Sequence, residues 1–123
     1  MTQSRSRIIV GLAALSGVAM IGGGLAKLVG QANQVEQFAS WGLPVWFRAL
    51  VGTFEVIGGI LLMVPLTTPA GSLILSTIMV GAAWGHMVHN DWWHIIPSLV
   101  LLILFLTIFR RNRAQAVLLL GGV

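Results

Sequence analysis

The sequence predicts an all-α integral membrane domain. Four transmembrane helices run up and down as a bundle, with a short amphipathic interfacial helix in the first outer loop. Three observations carry this expectation. Hydrophobic residues make up 57% of the 123 residues and charged residues only 8%, which leaves a soluble fold too little polar surface to cover itself. Four apolar stretches, at about 8–29, 44–66, 70–89 and 92–109, approach or reach the length needed to cross about 30 Å of hydrocarbon at about 1.5 Å per residue. The net charge of +4 is concentrated at the ends, in Arg5 and Arg7 before the first stretch and Arg110, Arg111 and Arg113 after the last. Basic residues flanking spans set topology, so both termini are expected to be cytoplasmic, with residues 1–123 forming one domain.

The first span is free of charge from Ile8 to Ala26 and closes on Lys27, Leu28 and Val29. A cleaved leader would also begin with basic residues and an apolar run. Its removal would leave three spans and strand the C-terminal Arg cluster outside, so an uncleaved span is the expectation. Gly11, Gly17 and the run Gly22, Gly23 and Gly24 leave the helix thin along one side, and thin helices pack closely in lipid.

The next segment, QANQVEQFASWG, is polar. Asn33 is placed to cap a short helix in which Val35, Phe38 and Trp41 recur at spacings near three, opposite Glu36, Gln37 and Ser40. Such a helix lies flat at the outer interface, with Trp41 and Trp46 as aromatic anchors.

The second span starts near Pro44, a residue suited to a helix start. Pro65, Thr67, Thr68 and Pro69 then make a cytoplasmic turn. The third span, 70–89, carries Gly71, Ser72, Ser76 and a GxxxG pair, Gly81 and Gly85. Gly24, Gly58, Gly59, Gly81 and Gly85 are the expected helix-packing positions, and for the Gly81/Gly85 pair packing against a neighbour within the bundle is expected ahead of a dimer seam.

His89 to His94 form a short aromatic outer loop, in which Asn90 or Asp91 can cap the fourth helix. That helix must begin near Trp92, because 95–109 alone spans only about 22 Å at helical rise. Pro97 then falls within its first two turns. The tail, 110–123, is too short to cross again and is expected to lie on the inner surface or be disordered.

Glu55 is the most informative residue. An acidic group at the centre of a span costs about 2.5 to 3.5 kcal/mol by insertion scales, and such groups mark functional sites by default. Lys27 and Arg48 lie near the outer rims of the first two spans, and His86 and His89 in the last outer turns of the third. All five are expected to border one cavity open to the outside, with Glu55 at its floor. The blander alternatives are a structural carboxyl group, kept protonated by desolvation or bonded to a Ser, Thr or imidazole on a neighbouring helix, and basic side chains that only snorkel to the headgroups.

His86, His89, Asp91 and His94 have ligand-like spacing. Interfacial His beside Trp is common, however, and no metal site is expected. Haem is disfavoured because only His94 could oppose His86. The absence of Cys removes disulfides, thiolate metal sites, Fe–S clusters and a thiol relay. No Gly-rich phosphate loop and no nucleophile with base and orienter can be read, and nothing suggests nucleic acid.

Gly24-Leu25-Ala26-Lys27-Leu28 and Glu55-Val56-Ile57-Gly58-Gly59-Ile60-Leu61-Leu62 resemble, in order and spacing, the GxxKL and ExxGGxLL patterns of the DoxX-like membrane proteins. Met79-Val80-Gly81-Ala82-Ala83 resembles that family's third helix, and the likeness runs from about Ile8 to Phe109. The resemblance implies a four-helix fold with both termini cytoplasmic and Lys27, Glu55, Gly58 and Gly59 at the family's characteristic positions; the expected location is a bacterial inner (plasma) membrane. The wider family includes membrane subunits linked to sulfur or quinone oxidoreductases, proteins of redox defence, and the receptor-assembly chaperone NACHO. Two functions follow as expectations. One is a non-catalytic accessory or assembly module that binds a membrane partner, a second copy, a lipid or a small apolar ligand around Glu55. The other is a membrane subunit of a quinone-linked oxidoreductase, which would bind quinone and need a separate electron donor; no cofactor is expected otherwise. A proton-coupled carrier is weaker, since four helices are few for alternating access and no inverted repeat can be seen.

Overall fold

The computed structural model describes the backbone of residues 2–121 and the side chains of residues 7–111. The described residues form five helices: α1 (Thr2–Val29), α2 (Ala32–Ser40), α3 (Val45–Met63), α4 (Thr68–Val88) and α5 (Trp92–Gly121). Four are long and apolar enough to cross a membrane, over Arg7–Val29, Val45–Met63, Thr68–Val88 and Trp92–Arg111. The expected four-helix membrane architecture is therefore present, with α2 as the short extra helix.

Helix ends follow from local chemistry. Gly30, at φ 77°, ends α1 in the left-handed region, and the Gln31 N–H closes onto the Ala26 carbonyl at 2.9 Å. Asn33 does not cap α2: Gln31 holds that position without a side-chain hydrogen bond. α3 stops at Met63, three residues short of the expected Leu66, because Val64 precedes a proline and is pushed into an extended conformation (φ −93°, ψ 120°). α4 begins at Thr68 rather than Ala70, since a proline is tolerated in a first turn. The threonines of this turn are chemically busy. Thr67 Oγ1 donates to the Leu61 carbonyl (2.8 Å) and Thr68 Oγ1 to that of Leu62 (2.9 Å), satisfying acceptors that the end of α3 leaves open.

At its other end α4 closes in a Schellman motif around Asn90 (φ 58°). The Asp91 N–H reaches the His86 carbonyl at 2.7 Å and the Asn90 N–H that of Met87 at 3.2 Å. α5 starts at Trp92, as expected, and continues through the Arg cluster to Gly121. The segment after Arg113 is thus helical rather than a separate surface tail, and Gly122 and Val123 lie outside the described residues.

The helices pack in the order α1 on α3, α3 on α4 and α4 on α5, while α1 and α5 touch only lightly. The α1/α3 seam is built from glycine. A Cβ on Gly24 would stand 2.6 Å from the Gly52 carbonyl oxygen, and one on Gly52 would stand 2.8 Å from that of Gly24. Gly17 and Gly59 repeat the reciprocal pairing at 2.8 and 2.7 Å, so two small pairs seven residues apart hold antiparallel backbones together. Between α3 and α4 the close approach runs one way: a Cβ on Gly71 would lie 2.7 Å from the Gly58 carbonyl oxygen, whereas one on Gly58 would meet the side chains of Leu75 and Ile74.

Ala13, Met20, Leu62, Leu75, Met79, Phe105 and Ile108 form one buried core. Most of these lie toward the end of the bundle that carries the start of α1 and the end of α5. Space remains at the other end, under α2. The flanks expose apolar side chains such as Leu15, Ile60, Val80 and Ile103, as a surface solvated by acyl chains requires.

Candidate functional site

α3 and α4 leave a cavity of about 550 Å³ between them, within the range of small-molecule sites. α3 contributes Phe47, Val51 and Glu55; α4 contributes the wall from Ile78 to His89; α2 lies across the top with Gln34, Gln37, Phe38 and Trp41. Lys27 enters from α1. Most of the lining is apolar.

Glu55 is 3% exposed. Its carboxylate meets Lys27 Nζ through both oxygens, Oε1 at 3.0 Å and Oε2 at 3.2 Å. The carboxylate fits against α1 because residue 23 is glycine, where a Cβ would come within 3.2 Å of Oε2. The partner of the buried acid is therefore a lysine one helix away, not a Ser, Thr or imidazole.

Four of the five residues expected to share a cavity do so: Lys27, Glu55, His86 and His89. Arg48 is not among the lining residues. Its Nε donates to the main-chain carbonyl of Lys27 at 3.1 Å, one of the acceptors left open where α1 ends, and a cation is favoured at the negative end of a helix. Arg48 thus fixes the backbone that carries Lys27.

Trp41 was expected as an interfacial anchor and instead turns inward. Its ring packs against Gly85, lies edge-on to His86 (4.8 Å between centroids, 82°) and stacks on His89 (5.0 Å, 9°). Among the described residues the Gly81/Gly85 pair therefore packs against none of the membrane-spanning helices. Gly85 accommodates an indole, and a Cβ on Gly81 would meet nothing within 4 Å. Gly81, Trp84 and Val88 lie along one side of α4, are exposed, and also line the cavity. Its mouth therefore opens through the flank of the bundle.

Gln34 could not be singled out from sequence. Its Oε1 is buried at the cavity without a hydrogen-bond partner among the described residues, and such an acceptor calls for a donor.

At the rim, Asp91 accepts from two imidazoles. His86 Nδ1 lies 3.2 Å from Oδ2 and His94 Nδ1 lies 2.7 Å from Oδ1. The hydrogen bond from His94, more than any other influence, holds the Asp91 carboxyl below the usual carboxylate range. His89 stands apart, its Nδ1 bonded to the Gly85 carbonyl at 2.8 Å.

No match was found among curated proteins or among solved structures. The model of the DoxX-like family matches residues 11–108, a stretch that takes in all of α2, α3 and α4 and most of α1 and of the span in α5, and the chain belongs to that family.

Proposed function

We propose that this DoxX-like protein is a non-catalytic membrane module whose cavity takes up an amphiphile, a lipid or small apolar molecule, from the bilayer through the flank of the bundle. One observation carries the reading. A single cavity of about 550 Å³ joins an apolar, laterally open wall to a buried Lys27–Glu55 pair and an unpartnered Gln34 oxygen. An apolar body would lie against Val51, Ile78 and Ala82, while a head group able to donate a hydrogen bond would meet Gln34. Accessory or assembly work in the membrane would follow from occupancy of this cavity.

Gly81→Phe tests the reading, because the substitution adds bulk at the mouth where a Cβ meets no neighbour. Protein extracted with native lipid and analysed by mass spectrometry is expected to retain an amphiphile that Gly81→Phe loses, with the fold unchanged by circular dichroism. Identical retention by both proteins would sink the proposal. The same extract separates a second reading, a subunit that handles quinone, which is supported by an imidazole (His86 of α4) and a carboxylate (Glu55 of α3) lining the same cavity. Retained quinone would favour it; retained phospholipid alone would count against it.

We further propose a bacterial inner membrane location with both termini cytoplasmic, on the strength of Arg5, Arg7, Arg110, Arg111 and Arg113. Reporter fusions at either end that read periplasmic would overturn this orientation.

A further inference from the structure

We propose that His86, Asp91 and His94 form a binding site for one divalent transition-metal ion of the zinc class, at the corner where α4 passes into α5. This site is independent of the amphiphile reading. Each residue offers one ligand atom, and these atoms all lie within 4.8 Å of one another. The Nδ1 atoms of His86 and His94 converge on the two oxygens of Asp91, at 3.2 and 2.7 Å. Tetrahedral zinc with bonds of about 2.0 to 2.2 Å holds neighbouring ligands about 3.4 Å apart, so small side-chain shifts suffice.

The backbone has already been arranged for this. The Schellman motif at Asn90 brings Asp91 back over the turn that carries His86, through the 2.7 Å bond from the Asp91 N–H to the His86 carbonyl. His94 lies three residues beyond Asp91, in the first turn of α5. Binding would therefore order little that is not ordered already, which is the main cost a preorganised site avoids.

The donors decide the class of ion. Two imidazoles and one carboxylate suit zinc and its neighbours in the first transition row, whereas calcium and magnesium favour all-oxygen sites. The His86 side chain is 8% exposed, that of Asp91 35% and that of His94 66%. A three-ligand site open on one side keeps a coordination position for water or another ligand. His86 belongs to the cavity wall as well, so the ion would sit at the cavity's rim.

A rival account makes these contacts a metal-free latch across the α4/α5 corner. The two accounts separate by titration. The full chain, purified in detergent without a polyhistidine tag and stripped with chelator, is titrated with zinc chloride in a calorimeter. One ion per chain is expected. His94→Ala and Asp91→Asn should each weaken binding at least about 100-fold, since outer-shell partners alone are worth 10- to 100-fold. His94 is largely exposed, so its loss spares the fold, and unchanged tryptophan fluorescence would confirm that for both variants. His89→Ala should bind as wild type. Absence of saturable uptake near one ion per chain overturns the proposal, and so does wild-type affinity in either the His94 or the Asp91 variant.

Discussion

Lys27→Met is expected to lower the stability of the bundle by about 3 to 5 kcal/mol, the cost of stripping a buried charge of its partner. Glu55 is almost wholly buried, and Lys27 Nζ is the group that reaches both its oxygens, at 3.0 and 3.2 Å. With that ammonium gone, the carboxylate must ionise without compensation or take up a proton, and either route costs free energy. Glu55→Gln should cost less. It leaves Lys27 near the end of α1, where a long basic side chain can extend toward headgroups and water. The double substitution Lys27→Met with Glu55→Leu removes both charges and is expected to fall near wild type, because an apolar pair of similar volume often replaces a buried ion pair without loss. Unfolding in detergent micelles, followed by tryptophan fluorescence, gives all three values. If Lys27→Met unfolds with wild type, the pair is ornamental and the buried acid needs another explanation.

The spans were legible because hydropathy is a one-dimensional property: a run long enough to cross lipid can be seen without knowing its neighbours. Glu55 and Lys27 were legible for the same reason, since a charge inside such a run is conspicuous. Direction of approach was not. Arg48 sits in the first turn of α3, yet its Nε turns to the Lys27 carbonyl rather than into the cavity, a choice set by how α1 ends beside α3. Trp41 reads as an interfacial anchor until Gly85 is seen to leave room for its ring. The GxxxG spacing of Gly81 and Gly85 fits a packing motif equally well in a helix that faces a cavity. The sequence signal for the seam is instead the seven-residue spacing shared by Gly17 with Gly24 and by Gly52 with Gly59, which keeps small residues on one face of each helix.

That seam gives the second large effect, in which one substitution changes sign between positions two residues apart. Gly22→Ala is expected to stabilise by about 0.5 to 1 kcal/mol, because its Cβ meets nothing within 4 Å and alanine is the better helix former. Gly24→Ala is expected to destabilise by about 1 to 3 kcal/mol, toward the upper end. Its Cβ would lie 2.6 Å from the Gly52 carbonyl oxygen and 2.9 Å from the Val56 nitrogen, both main-chain atoms that cannot rotate away. Relief requires α1 and α3 to separate, and lipid supplies no hydrophobic force to press them back. Separation also stretches the Lys27–Glu55 pair, which bridges the same two helices one turn along. Gly24→Ala and Lys27→Met should therefore be less than additive, with a coupling of about 0.5 to 3 kcal/mol in a double-mutant cycle. Full additivity would mean that the glycine seam and the ion pair act separately, and that close backbone approach is not what keeps the carboxylate within reach of its lysine.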